Sequence, residues 1–95
     1  MIPQSVREGS FYFDPQDGVY KDHFPSCPIV PGSLIIQSFV DLVSSSAGID
    51  SFRFLSFIAP GHYTYRVEEK PQKWDCFLFE GEQVVARGIL RRGCR

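Results

Sequence analysis

The sequence has few of the features that mark disulfide frameworks, metal centres or membrane spans. It contains three cysteines, Cys27, Cys76 and Cys94, an odd number at wide spacings. Because this pattern fits neither paired disulfides nor a zinc site, we expect a reducing, cytoplasmic environment and no bound metal. No apolar run reaches the about 18 residues of a membrane span, and the N-terminal MIPQSVREGS has no apolar signal-peptide core. We therefore expect neither a membrane segment nor an export signal.

The chain also lacks a strong charge of either sign, which argues against one class of partner. Its net charge of −1 does not suit a protein that binds nucleic acid through phosphate contacts. In contrast, 43% of the residues are hydrophobic and 15% are aromatic, a composition too apolar for a disordered chain and typical of a sheet. The 95 residues show no linker or repeat, and they predict a single domain, 1–95. Because a core of this size is modest, association with a second subunit is expected.

Aromatic segments separated by turn residues predict five strands. Turns are indicated at DPQDG (14–18), Pro60-Gly61 and Glu80-Gly81. The clearest alternation is in HYTYRVEEK, where Tyr63, Tyr65 and Val67 share one face. The predicted strands span residues 5–13, 51–59, 62–70, 73–80 and 83–92. Because the last four follow one another closely, they predict an antiparallel meander.

One helix is predicted over residues 33–46, SLIIQSFVDLVSSS, with Ser33 near its cap. Apolar residues cover most of its circumference, so this helix is expected to be largely buried. Its polar residues lie four, four and three positions apart and form one narrow stripe along the axis: Ser33, Gln37, Asp41 and Ser44. A buried helix ahead of a long antiparallel sheet predicts an α+β fold, with the helix packed across one face of the sheet.

The loop before this helix carries the most specific motif in the chain. In HFPSCPIVPGSLIIQ, residues 23–37, a His-Phe-Pro triplet is followed by Pro31-Gly32 and then the helix. This pattern resembles the 3-hydroxyacyl-[acyl carrier protein] dehydratases of fatty-acid synthesis. Residues 48–68 and 77–90 are similar to later segments of the same family. The resemblance, over roughly residues 5–92, implies a hotdog fold, in which a long antiparallel sheet wraps around a central helix.

The resemblance also implies roles for individual residues. In that family a histidine removes the proton α to the thioester carbonyl, and the N–H of the Pro-Gly glycine receives the thioester oxygen. A carboxylate on the central helix of the other subunit protonates the departing 3-hydroxyl. The matching positions are His23 for the base, Gly32 for the N–H donor and Gln37 for the carboxylate. The family chemistry therefore implies a homodimer with two equivalent clefts and no metal or other cofactor.

Gln37 departs from the family, which has Glu or Asp at this position. An amide cannot donate a proton as a general acid, although it can hydrogen-bond a hydroxyl group or hold a water molecule. Asp41 lies one helical turn later on the same face, so our hypothesis is that Asp41 supplies the acid. The alternative is that Asp41 makes polar contacts at a subunit interface or faces water. His23 has the ordinary alternative of a surface histidine paired with Asp22, and Gly32 that of a structural glycine.

Three functions remain open at this point. The resemblance implies an enzyme acting on a 3-hydroxyacyl or enoyl thioester of acyl carrier protein or coenzyme A. The missing carboxylate leaves two alternatives, a non-catalytic thioester-binding partner subunit and a thioesterase in which Gln37 positions water. The aromatic residues of 52–57 and 73–79 are expected in the core, with acyl-tunnel lining as the alternative. Five cations are either a basic rim for an acidic carrier protein or ordinary solvated charges: Lys21, Arg53, Arg87, Arg91 and Arg92.

Overall fold

The structure, a computed structural model, describes residues 5–14, 29–44 and 46–92. Within these ranges the chain forms five strands and one helix. In chain order they are β1 (Ser5–Phe13), α1 (Gly32–Val43), β2 (Gly48–Phe54), β3 (Gly61–Glu69), β4 (Lys73–Glu80) and β5 (Gln83–Arg91). The predicted strands 5–13 and 73–80 are confirmed to the residue. The other bounds differ. The helix α1 ends at Val43 rather than at residue 46, and β2 ends at Phe54 rather than at residue 59.

All five strands form one antiparallel sheet, in the order β1-β3-β4-β5-β2. The predicted meander is correct for β3, β4 and β5. It is wrong for β2, which pairs with β5 at the far edge instead of with its chain neighbour β3. Both sides of β3 are already paired, with β1 and with β4, so β3 has no edge left for β2. The segment between β2 and β3 is fixed instead by the Val30 N–H, which donates to the Ile58 carbonyl at 2.7 Å.

The helix packs on one face of this sheet, and the core lies between the two. Phe39, in the middle of α1, is fully buried. Its ring centroid lies 5.1 Å from that of Phe11, 5.9 Å from that of Phe52 and 6.3 Å from that of Tyr65. Every second residue of the central strands faces this core, namely Tyr63 and Val67 of β3, Trp74, Cys76 and Leu78 of β4, and Ala86 and Leu90 of β5. The predicted α+β layering is therefore confirmed, and so is the shared face of Tyr63, Tyr65 and Val67.

The other face of the sheet, which we call the outer face, carries the alternate residues of the same strands. It is mostly charged, and Arg66 donates there to Glu8 at 2.9 Å and to Glu68 at 2.8 Å. Phe77 and Phe79 also lie on this face and are only partly buried, with ring centroids 6.5 Å apart. The expectation that the aromatic residues of 73–79 belong to the core is thus correct for Trp74 and wrong for these two, because strand alternation directs them to the opposite face.

Main-chain groups and side chains from other elements fix the two ends of α1. The cap residue is Pro31 (φ −61°, ψ 140°), without a side-chain cap, so the predicted Ser33 cap is wrong. The Pro31 carbonyl accepts hydrogen bonds from the N–H groups of Leu34 at 3.0 Å and Ile35 at 3.3 Å. At the other end Ser44 is extended, and its N–H donates to the Val40 carbonyl at 2.9 Å. Arg7 of β1 also donates to the Leu42 carbonyl, which ties the helix end to the sheet.

Two glycines on paired strands give a matched test of this packing. A Cβ on Gly88 would lie 2.4 Å from Cγ of Phe52, at the base of the ring, whereas a Cβ on Gly48 meets nothing within 4 Å. Gly88→Ala should therefore destabilise the protein by about 1–3 kcal/mol, because Phe52 must leave its place beside Phe39. Gly48→Ala should leave the melting temperature unchanged or slightly raised. Thermal unfolding followed by circular dichroism checks this, and equal melting temperatures for the two variants would contradict it.

Candidate functional site

The start of α1 presents unbonded main-chain N–H groups. Gly32 and Ser33 are the first two helical residues, and within the described part of the chain nothing accepts a hydrogen bond from either N–H. The first turn contains no acidic residue to offset the positive end of the helix dipole. Such a helix start favours negative charge, including the charge that develops on a thioester oxygen when an α-proton is removed.

A small apolar pocket of about 160 Å³ opens beside this helix start. The pocket is lined by Ile29, Val30, Gly32, Ile35, Phe54, Ser56, Phe57 and Ile58. Gly32 is required here for close approach, since a Cβ at this position would lie 3.0 Å from Cε2 and Cζ of the Phe54 ring. The pocket thus places apolar side chains next to a main-chain group that can bind an anion.

Two aromatic residues of the pocket wall were expected in the core. Phe52 does reach the core and packs on Phe39, but Phe54 lines the pocket and Phe57 is 86% exposed. For these two the core expectation is wrong, and the alternative, acyl-tunnel lining, stays a prediction. The sequence signal for this difference was Pro60, because residues 55–60 leave the sheet before the turn and carry Phe57 with them.

Gln37 and Asp41 form a hydrogen-bonded pair on the exposed side of α1. The Gln37 Nε2 donates to Asp41 Oδ1 at 2.8 Å, and both side chains are exposed. The predicted polar stripe is confirmed as the solvent-facing side of the helix in the single chain, with Ser33 also exposed and Ser44 partly buried. Neither Gln37 nor Asp41 lines the pocket at Gly32. Within one chain, the structure therefore brings Gln37 and Asp41 together but places them apart from the pocket.

Other titratable residues are separate from this site or fall outside the described ranges. His23 and Cys27 lie outside those ranges. His62 is exposed on the outer face, where its ring stacks on Tyr12 with centroids 4.4 Å apart. Cys76 is buried, and its burial raises the pKa of the thiol to about 12, so it is not a nucleophile.

The described part of the chain contains neither a metal-binding cluster nor a membrane-spanning helix. No group of three or more His, Cys, Asp or Glu side chains there could bind a metal ion. The single helix found there is too short to cross a membrane.

Solved structures of similar fold include thioesterases. A mutant of the fluoroacetyl-CoA-specific thioesterase FlK, in complex with fluoroacetate and CoA, superposes with a TM-score of 0.65 over 98% of this chain and 93% of that one, at 8% identity. Another FlK structure gives a TM-score of 0.64 over 98% of this chain and 86% of that one, at 11% identity. At such identities the likeness concerns the fold alone, and it confirms the predicted hotdog fold.

Curated relatives by sequence are dehydratases. The 3-hydroxyacyl-[acyl-carrier-protein] dehydratase FabZ of Thermotoga petrophila is 29% identical over 96 aligned positions, which cover 83% of this chain and 70% of the relative. The FabZ of Thermotoga maritima matches at the same identity and coverage.

A family model agrees with these relatives and spans nearly the whole chain. The model describes ApeI-like proteins, with the ApeI dehydratase as its reference, and it matches residues 3–88. The match includes the helix start, the apolar pocket and the Gln37–Asp41 pair. It also extends across all six elements of the fold into β5. By this match, the chain belongs to the ApeI-like dehydratase family.

Proposed function

We propose that this protein dehydrates 3-hydroxyacyl thioesters carried by acyl carrier protein or coenzyme A, and catalyses the reverse hydration. The observation that carries the proposal is the unbonded N–H of Gly32 beside an apolar pocket, directly after the His-Phe-Pro and Pro-Gly motif. The family match and the dehydratase relatives support the same reaction class. In this reaction, C–H and C–O bonds on adjacent carbons are broken and one water molecule is released.

The first step assigned here is removal of the proton α to the thioester carbonyl. Neutral His23 takes this proton, and the electron pair of the broken C–H bond passes to the thioester oxygen as an enolate. The Gly32 N–H donates a hydrogen bond to that oxygen. The positive end of the α1 dipole favours the negative charge that develops there, and the missing Cβ lets the apolar Phe54 ring lie close to this amide.

The second step is departure of the 3-hydroxyl, which must leave as water. The enolate electrons re-form the carbonyl and make the new carbon–carbon double bond, while the C–O bond breaks and the oxygen takes a proton. We assign that proton to Asp41. Gln37 bonds to Oδ1 of this carboxyl, which leaves Oδ2 to carry the proton towards the substrate. Gln37 then acts as a positioning residue for the acid.

A second copy of the chain completes this site. The Gln37–Asp41 pair lies away from the Gly32 pocket within one chain, so the pair must serve the pocket of another. The β2 edge of the sheet is the surface suited to that copy, because exposed apolar residues gather there: Ile49, Phe54, Leu55 and Phe57. A free strand edge with apolar flanks is a ready template for pairing with a second strand. The pocket adjoins this same edge through Phe54.

A thioesterase is the second candidate, and one observation favours it. The exposed Gln37 amide, which donates a hydrogen bond to Asp41 at 2.8 Å, is able to orient a water molecule towards a thioester carbonyl. Hydrolysis releases a free thiol and dehydration does not, so the two activities are readily separated.

The reaction itself is tested with 3-hydroxybutyryl and crotonyl thioesters of acyl carrier protein and of coenzyme A. We expect enoyl absorbance to rise or fall without release of thiol. His23→Ala should lower kcat by about 10²–10⁴-fold, because it removes the proton acceptor. Thiol release would instead support the thioesterase. If neither signal appears for any of these substrates, the protein is a non-catalytic partner subunit.

The acid assignment is tested by exchanging Gln37 and Asp41. Asp41→Asn should lower kcat by about 10²–10⁴-fold with little change in KM, because only the proton donor is lost. The double variant Gln37→Glu and Asp41→Gln exchanges the two groups and should stay as inactive as Asp41→Asn, because its carboxyl lies one helical turn away from the place that the proposed dimer gives to the acid. Both changes lie on an exposed helix face, so circular dichroism should show an unchanged fold. Undiminished turnover in Asp41→Asn rules the assignment out.

The shared site is tested first through the assembly state. In sedimentation velocity the wild-type protein should be a dimer, and Leu55→Glu should shift it towards the monomer by placing a charge at the β2 edge. Val6→Glu is the matched control, because Val6 is 44% exposed and Leu55 52% exposed, but Val6 lies on β1 at the opposite edge. Equal dissociation of the two variants would argue against the β2 interface.

Mixing inactive chains then tests whether a site takes residues from both copies. Equal amounts of His23→Ala and Asp41→Asn protein should recover about a quarter of wild-type activity after subunit exchange, since half of the dimers are mixed and each mixed dimer has one intact site. If mixing restores nothing although the chains exchange, each site is built within one chain.

A further inference from the structure

A second concave site lies on the outer face of the sheet, on the side opposite α1. This outer groove has a volume of about 440 Å³, within the size range of small-molecule sites. Its walls are Arg53 of β2 and Arg87 of β5, and its floor includes Phe77 of β4 and Ile89 of β5. The helix-start pocket and the outer groove share no lining residue, so the outer groove is independent of the proposed dehydratase site.

The strand register explains why two arginines meet at this place. Glu8, Arg66, Phe77, Arg87 and Arg53 lie directly opposite one another on successive strands and form one row across the outer face. Arg66 is neutralised by two carboxylates, but the side chains of Arg53 and Arg87 make no ion pair or hydrogen bond with any other described residue. Like charges directly opposite on paired strands are destabilising. The fold therefore retains an unfavourable pair that a bound anion would relieve.

The neighbouring charges leave this excess positive charge in place. Asp75, the carboxylate in the groove, already accepts a hydrogen bond from Lys70 and lies 3.8 Å from Lys73. Farther along β5, Arg91 is paired with Asp50 at 3.1 Å and does not line the groove. Among the described residues, the guanidinium groups of Arg53 and Arg87 are thus the groove cations that lack a carboxylate partner.

We propose that the outer groove binds an organic phosphate, with the phosphate between Arg53 and Arg87 and an aromatic body against Phe77. A phosphate carries about two negative charges at neutral pH and offers three acceptor oxygens, enough to receive hydrogen bonds from both guanidinium groups. Phe77 lies directly opposite Arg87 in the row and is only partly buried, so its ring is available to stack on the aromatic body of a ligand whose phosphate meets the arginines.

The geometry favours a phosphate ester over the carboxylates of an acidic protein surface. Directly opposed strand residues have Cα atoms only about 4.5–5.5 Å apart, so Arg53 and Arg87 are close enough for one anion to contact both, whereas two separate carboxylates would crowd each other. A concave site with an aromatic floor also suits a compact ligand better than a convex protein surface. One doubly charged group joined to a ring satisfies both features.

The proposal is tested by calorimetric titration of the intact protein with phenyl phosphate, and in parallel with inorganic phosphate. Phenyl phosphate should bind saturably and more tightly than inorganic phosphate. Arg87→Gln should weaken its binding about tenfold or more, since the variant loses one of the two charge-assisted contacts. Phe77→Leu should weaken phenyl phosphate but not inorganic phosphate, because the ring contributes only to the ester.

Arg91→Gln is the matched control, because it removes the same charge from the same face of the same strand but outside the groove. Arg91→Gln should leave the affinity for phenyl phosphate within about twofold of the wild-type value. An equal loss of affinity in Arg91→Gln and Arg87→Gln would show that general electrostatic attraction holds the ligand, and it would overturn the proposal. The proposal also fails if phenyl phosphate does not bind, and binding of acidic carrier protein at Arg87 would then identify a protein surface as the ligand. Arg87→Gln relieves a like-charge pair, so its melting temperature without ligand should not fall, and a folded variant is expected.

Discussion

The packing of Phe39 against the aromatic side chains of the sheet fixes where everything else in this protein lies. Phe39 is fully buried among Phe11, Phe52 and Tyr65. Once this ring is inserted, the rotation of α1 is determined, and residues on the far side of the helix must face away from their own sheet. Gln37 and Asp41 are exposed for this reason. The core that stabilises the chain thus directs these polar helix residues away from their own sheet.

Successive residues of β2 point to opposite faces of the sheet and so contribute to sites on both faces. Phe54 faces the helix and meets Gly32, while the preceding residue, Arg53, faces outwards and stands opposite Arg87. Both contacts depend on the pairing of β2 with β5. If β2 paired with β3 instead, these side chains would lie away from the edge of the sheet that β5 forms. The Phe52 ring also covers Gly88, and this close contact fixes the register of β2 on β5. A shift by one residue would exchange the two faces and remove the helix-start pocket and the outer groove together.

The sequence predicted which side chains share a face more accurately than it predicted which strands lie next to each other. The alternation at Tyr63, Tyr65 and Val67 and the four-residue spacing of the helix stripe both appear as expected, because periodicity reports which side chains share a side. Periodicity does not report which strand lies next to which, so β2 was placed beside β3. Nor does aromatic character distinguish a core position from an exposed one, which is why Phe57 and Phe77 were misplaced. For the candidate site, the motif located Gly32 and the Gln37–Asp41 spacing, but the apolar pocket depends on residues 55–58 leaving the sheet.

The order of Gln37 and Asp41 on α1 constrains how two copies of the chain meet in the proposed dimer. Positions 37 and 41 differ by one turn, about 6 Å along the axis. The covalent bonds of a substrate set an upper limit on the distance between its thioester oxygen and its 3-hydroxyl, so this distance cannot lengthen by a whole helical turn to follow the acid. In the proposed dimer the separation between Gly32 of one copy and Asp41 of the other is set by how far the two helices slide past each other. An acid at position 41 therefore requires a helix register about one turn different from that required by an acid at position 37. Which of the two positions, 37 or 41, supplies the acid therefore depends on how the two chains pack at their interface.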